Sequence, residues 1–134
     1  MPAYEQAFVE GKATGAMCSY NAINGAPSCA NDYILNDVVR GMWNPDAHVT
    51  TDCGAVNNLK GEPINAPSDE AAVAIAINGG TDVEMGSTLS THSLVNATNN
   101  GLISKETVIA AWRRTFKPLF KAGRFDANED IEWR

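Results

Sequence analysis

The sequence predicts an α/β protein in which short parallel strands are each followed by a helix, and two observations carry that expectation. Short apolar or β-branched runs alternate with amphipathic stretches along the chain, the pattern of repeated strand–loop–helix units. The polar residues best suited to chemistry also stand just past the expected strands, in residues 17–25, 51–56 and 80–86.

Residues 4–10, with Gly11 behind them, read as an opening helix. Residues 15–19 form the first expected strand, followed by an Asn24-Gly25 turn. Asn31 is placed to N-cap a helix whose apolar positions Ile34, Leu35, Val38, Val39, Met42 and Trp43 recur at three and four residues; it ends before Asn44-Pro45. Residues 48–51 are the second strand, and residues 57–67 a loop containing Pro and Asn. Ser68-Asp69-Glu70 starts an alanine-rich helix through Ile77, stopped by Gly79-Gly80. Residues 81–85 are the third strand. The last helix runs from about Lys105 to Ala122 after Ser104, with Val108, Trp112, Phe116, Leu119 and Phe120 on one face, Gly123 as terminator and Pro118 as a kink. Arg113, Arg114, Lys117 and Lys121 read as its solvated face and last turn.

Three strand–helix units with chemistry just past the strands match the carboxyl-terminal face of a TIM (β/α)8 barrel. Such a barrel takes about 250 residues, so this chain of 134 residues is expected to be a single domain, 1–134, holding part of a barrel. An open three-stranded sheet exposes two edges that a closed barrel pairs.

The most telling segment is His48-Val49-Thr50-Thr51-Asp52-Cys53-Gly54. It puts a carboxylate at the end of a β-prone run, with a glycine that lets the backbone turn away. Asp52 is either a turn cap or a nucleophile on this evidence alone. The net charge of −6 supplies no counterion-release term for nucleic acid and repels anionic lipid. Neither nucleic acid nor a membrane is therefore an expected partner, and a neutral substrate fits better. Residues 1–5 lack the basic and apolar regions of a signal peptide. Cys18, Cys29 and Cys53 are too few and too irregularly spaced for a zinc site or a disulfide scaffold, and their odd number leaves at least one unpaired. His48 and His92 have no partners at ligand spacing and read as structural or surface residues. No metal or cofactor is expected.

Met17-Cys18-Ser19-Tyr20-Asn21-Ala22-Ile23-Asn24-Gly25, Thr51-Asp52-Cys53-Gly54-Ala55-Val56 and Gly80-Thr81-Asp82-Val83-Glu84 stand in order, with Ala122-Gly123-Arg124-Phe125-Asp126 behind them. Together they resemble glycoside hydrolase family 3, the β-glucosidase and β-xylosidase family. The run from Ala22 to Asn31, and Asp-Cys-Gly rather than Asp-Trp, resemble its β-xylosidase branch. The resemblance implies about the last three β/α units of the barrel, with parallel strands. It implies Asp52 as nucleophile of a retaining mechanism that releases terminal β-linked xylose or glucose from an oligosaccharide or an aryl glycoside, a second carboxyl group about 5 Å away serving as acid and base.

Tyr20 matches a tyrosine beside that nucleophile, where a phenol steadies the carboxylate. Met17 matches an apolar sugar contact, with strand-end packing as its other reading. Cys53 replaces the tryptophan of many glucosidases and narrows the wall of the sugar site; its usual partner cysteine stands where this chain has Met85. A catalytic thiol formed by Cys53 with His48 lacks an oxyanion motif. Asp82 and Glu84 are candidate supporting acids, more suited to holding loops than to chemistry. Asn96-Ala97-Thr98 is a glycosylation sequon, relevant only in a secreted protein.

By the same resemblance, five barrel strands and the α/β sandwich domain that carries the acid/base glutamate lie outside this sequence. Family members often have Leu-Pro-Ala-Phe where Met1-Pro2-Ala3-Tyr4 stands, so a fragment is expected, with a secreted or periplasmic parent. Alone it is expected to be inactive and to need the missing barrel half and sandwich domain, or to self-associate through open sheet edges. The competing class is a non-catalytic carbohydrate-binding or interaction module built on a half-barrel.

Overall fold

The computed structural model describes residues 1–127 and 130. Helix α1 (Pro2–Val9) opens the chain, with Pro2 in its first turn, where a missing N–H costs no bond. Strand β1 (Gly15–Cys18) leads into a two-residue hairpin, β2 (Ala22–Ile23) and β3 (Ala26–Pro27). The Asn24-Gly25 turn between them has positive φ at both residues, 52° and 83°, as a tight hairpin turn requires.

The next helix, α2 (Tyr33–Trp43), is wound with the wide π geometry; at its end the Asn44 N–H donates to the Val39 carbonyl five residues back, at 2.8 Å. Asn31 caps its start, the side-chain oxygen accepting from the Ile34 N–H at 3.1 Å. The buried side of α2 carries Leu35, Val38 and Val39, and also Arg40.

Strand β4 (His48–Thr51) lies parallel to β1, with Ala16 opposite Val49 and Cys18 opposite Thr51. Helix α3 (Asp69–Asn78) is capped by Ser68, whose hydroxyl accepts from the Ala71 N–H at 3.2 Å. Ala72, Val73, Ala76 and Ile77 of α3 are buried against Val56, Leu59, Ala97 and Ile103 in the largest apolar cluster. Small alanines let α3 approach its neighbours closely, and each fully buried valine in this cluster contributes about 1.5–3 kcal/mol.

Helix α4 (Thr91–Asn99) has no counterpart among the expected elements. It starts with a reciprocal cap in which the Ser90 and Ser93 side chains each accept from the other's backbone N–H. The sequon therefore lies on a helix: Asn96 is half-buried and its amide contacts Glu70 and His92. Helix α5 (Lys105–Lys121) runs through Pro118 and is capped by Ser104, with Gly123 at φ 66° beyond its end.

Two expectations need correction. Residues 81–85 do not form a full strand: they make a single parallel bridge, Val83 with Thr50. The N–H groups of Asp82 and Val83 both point to the Val49 carbonyl, at 2.9 and 3.3 Å, so the backbone bends there instead of continuing a ladder. Arg114 is not on a solvated face either: its side chain is largely buried against Asp82. The apolar stripe of α5, by contrast, is open, with Trp112 and Phe120 more than half exposed.

The strand layer consists of the parallel β1–β4 pair, with the Val83 bridge on the far side of β4. Side chains alternate across this layer. One face carries buried Cys18, Val49, Thr51 and Glu84 toward the helices. The other carries Met17, Thr50, Val83 and Met85, of which both methionines are more than half exposed.

Candidate active site

Asp52 follows β4 directly, and its N–H donates to the Cys18 carbonyl at 2.8 Å, which ties it to the end of β1. The carboxylate accepts from the Cys53 N–H at 2.7 Å. Gly54 then turns the chain at φ 71°, a conformation that a side chain would strain. The Gly54 N–H donates to the Met85 carbonyl at 2.8 Å, and the Met85 N–H to the Thr51 hydroxyl at 3.1 Å. Segment 84–86 is thus stitched beneath the Asp52 turn.

Tyr20 reaches the same place from the end of β1. Its hydroxyl donates to the Cys53 carbonyl at 2.8 Å across 33 residues of sequence. Partial desolvation, then the neighbouring Asp52 carboxylate, hold the phenol above its ordinary pKa. The structure therefore brings Tyr20 and Asp52 together at the carboxyl end of the parallel strands. Met17, one residue before the end of β1, is exposed on the open face, and Cys53 is exposed with a free thiol. A cleft of about 110 Å³ beside Tyr20 is lined by Ala55, Asn58 and Glu62 among others.

Asp82 does not join this group. Its side chain is fully buried at the level of Val49, accepting from the Val49 N–H at 2.8 Å, from Arg40 at 2.8 Å and from Arg114 at 2.9 Å. A carboxylate with these partners ties β4, α2 and α5 together. The bend at Asp82 is what turns it away from the strand ends. His48 is half-buried beside it, its Nδ1 4.0 Å from Asp82. Burial lowers the His48 pKa against the opposing pull of Asp82, with Arg40 and Arg114 adding to the lowering.

Glu84 is also buried; one oxygen accepts from the Leu89 N–H at 2.6 Å and the other has no partner. It braces the 86–89 loop beneath the Asp52 turn. Among the described residues, no group of three His, Cys, Asp or Glu side chains is arranged to hold a metal ion.

Sequence reasoning passed over two features. Arg40 sits on the buried stripe of an amphipathic helix, and a lone charge among Leu35, Val38 and Val39 is a signal for a buried partner. The cysteines form one disulfide, Cys18–Cys29, which leaves Cys53 as the unpaired one. Spacing hid the pair because a hairpin folds between the two residues.

A short parallel strand layer thus presents a carboxylate and a phenol at its carboxyl end. The chain belongs to glycosyl hydrolase family 3: the profile of that family's N-terminal domain matches residues 1–117. Over its whole length it is 36% identical to a probable exo-1,4-β-xylosidase, bxlB, of Aspergillus fumigatus, of which it spans 18%. It is 39% identical to the exo-1,4-β-xylosidase bxlB of Emericella nidulans, matching over 96% of this chain and 17% of that protein. Among solved structures, a family 3 exo-β-xylosidase, XlnD, in complex with a xylobiose aziridine activity-based probe, superposes with a TM-score of 0.88 at 36% identity, over 98% of this chain and 17% of that one. A β-glucosidase from Erythrobacter marinus superposes at 0.84 with 28% identity, over 94% of this chain and 17% of that one.

Proposed function

We propose that this chain supplies the nucleophile-bearing part of a retaining, exo-acting β-glycosidase that removes terminal β-linked xylose or glucose, xylose being favoured by the xylosidase relatives. The observation that carries this reading is Asp52 at the carboxyl end of β4 with the Tyr20 hydroxyl beside it. An ionised carboxylate at that place can attack an anomeric carbon and form a glycosyl ester, which water then hydrolyses. Tyr20 would steady the carboxylate oxygen as charge leaves and returns. Met17 and Cys53 would form part of the sugar wall. Asp82 and Glu84 act in this reading as supports, since both are buried away from the open face.

The proton donor comes from outside the described residues, and the open face of the strand layer is where the rest of a barrel would close over the sugar. Residues 1–127 then correspond to the last three β/α units of that barrel. Without the donor, protonation assistance of roughly 10²–10⁴-fold is lost, so the chain on its own is expected to be inactive.

The test is to incubate the longer enzyme that contains this sequence with a 2-deoxy-2-fluoro-β-xyloside bearing an activated leaving group, and to map the label by peptide mass spectrometry. A label on the peptide holding Asp52 is the expected result, and a label on another carboxylate would sink the assignment.

A further inference from the structure

We propose that the Cys18–Cys29 disulfide positions Tyr20: it holds the phenol on the Cys53 carbonyl beside Asp52, and without it the strand layer persists while that placement is lost. The inference rests on the reading of Tyr20 and Asp52 given above, but its first test does not depend on catalysis.

Tyr20 sits on a loop that is rigid in itself and is held between its stems by few outside contacts, the Asn31 amide donating to the Ile23 carbonyl at 3.4 Å and the phenol to the Cys53 carbonyl at 2.8 Å. Within it, Ala22 pairs with Pro27, Ile23 with Ala26, the Ser28 N–H donates to the Asn21 carbonyl at 2.9 Å, and the Ser19 N–H to the Ser28 hydroxyl at 3.3 Å. These bonds join the loop to itself and not to the sheet. Its two stems are Cys18, the last residue of β1, and Cys29, in the short turn before α2. The disulfide fixes those stems with their Cα atoms 5.1 Å apart, and both cysteines are buried.

Thr81 locks the same point from the third segment: its hydroxyl donates to the Cys29 carbonyl at 2.8 Å and lies 3.7 Å from the Cys18 sulfur. Beyond the stems, Tyr20 is more than half exposed, and its hydroxyl has one hydrogen bond across to the β4 side. A single bond from an exposed side chain does not hold a loop by itself. The covalent closure removes the open-loop conformations that would otherwise compete with it. Loss of the closure would let the hairpin swing as a body about the end of β1, carrying the phenol off Asp52.

Hydrogen exchange on this chain, comparing the oxidised form with Cys18→Ala/Cys29→Ala, is the first test. Peptides covering residues 19–28 should exchange at least about tenfold faster, while those covering 48–51 and 69–78 keep their protection. Exchange after phosphine reduction of the folded native sequence gives the same comparison should the double variant fail to fold. Unchanged protection of 19–28, or loss of protection everywhere, overturns the proposal, because the bond would then hold nothing or hold the whole fold.

A double-mutant cycle in the longer enzyme is the second test. Tyr20→Phe should slow kcat by about 10²-fold in the native background but by less than about threefold once the two cysteines are replaced. Full additivity overturns the link to Tyr20. Turnover insensitive to Asp52→Ala would instead fail the functional reading and leave the exchange result standing.

Discussion

On the helix side of the strand layer Cys18, Val49 and Thr51 are buried, while one residue along the same strands, on the opposite side, Met17 is 56% exposed. The buried side has nearly all of its polar groups satisfied: Asp82 has Arg40, Arg114 and a backbone N–H, and Thr51 takes the Met85 N–H. The open side has the candidate chemistry: Tyr20, Asp52 and a free Cys53. Period-two alternation thus sorts one short stretch of backbone into a buried half and an exposed half. The proposed function puts reactivity in the second while packing concentrates in the first, and substitutions can test whether the two separate so cleanly.

The largest effect is expected at Asp52. In the longer enzyme Asp52→Ala should lower turnover on the order of 10⁴-fold or more, with azide restoring part of it as the glycosyl azide, yet shift unfolding by less than about 1 kcal/mol. Activity assays beside urea unfolding measure both. Asp82→Ala should show the reverse balance in this chain, costing about 3–5 kcal/mol because Arg40 and Arg114 would be left buried without a counter-charge; urea midpoints would show it.

A smaller effect belongs to His48. Its folded pKa lies below the unfolded one, so the unfolded chain takes up the proton first. The stability tied to neutral His48 is complete above the ordinary histidine pKa and is lost as pH falls toward the folded value. Unfolding curves of the native sequence should therefore sag relative to His48→Gln as pH falls through the ordinary histidine pKa of about 6.5; a constant difference would refute the linkage. Least of all is expected from Met17→Ala, which should change the stability of this chain by less than about 0.5 kcal/mol. A cost of several kcal/mol there would mean that the open side is packed after all.

Helices whose signals are local were legible in the sequence. Ser68, Ser104 and Asn31 announce three helix starts because an N-cap needs only a side chain three residues from its N–H. Asn24-Gly25 announced its turn for a similarly local reason. Helix α4 was missed although Ser90 and Ser93 form a reciprocal cap, because Thr91 to Asn99 is polar and carries little apolar stripe to draw attention. Long-range partnerships were less legible. Asp82 could be read as a supporting acid, but not with its partners, because a bend in the backbone and two arginines 42 and 32 residues away decide where it lies. The pairing of Cys18 with Cys29 was equally out of reach, since only the hairpin between them brings their stems together. The meeting of Tyr20 with Asp52 came from the resemblance and not from spacing.

The Arg40–Asp82–Arg114 contact also has a kinetic consequence. Its members are supplied by three separate stretches of chain, so the triad cannot assemble until α2, β4 and α5 have all docked, and loop closure makes such contacts late. Interactions absent from the transition state slow unfolding without hastening refolding. The buried charges would therefore govern the lifetime of the native state more than the speed at which it is reached, a latch that closes last and opens first.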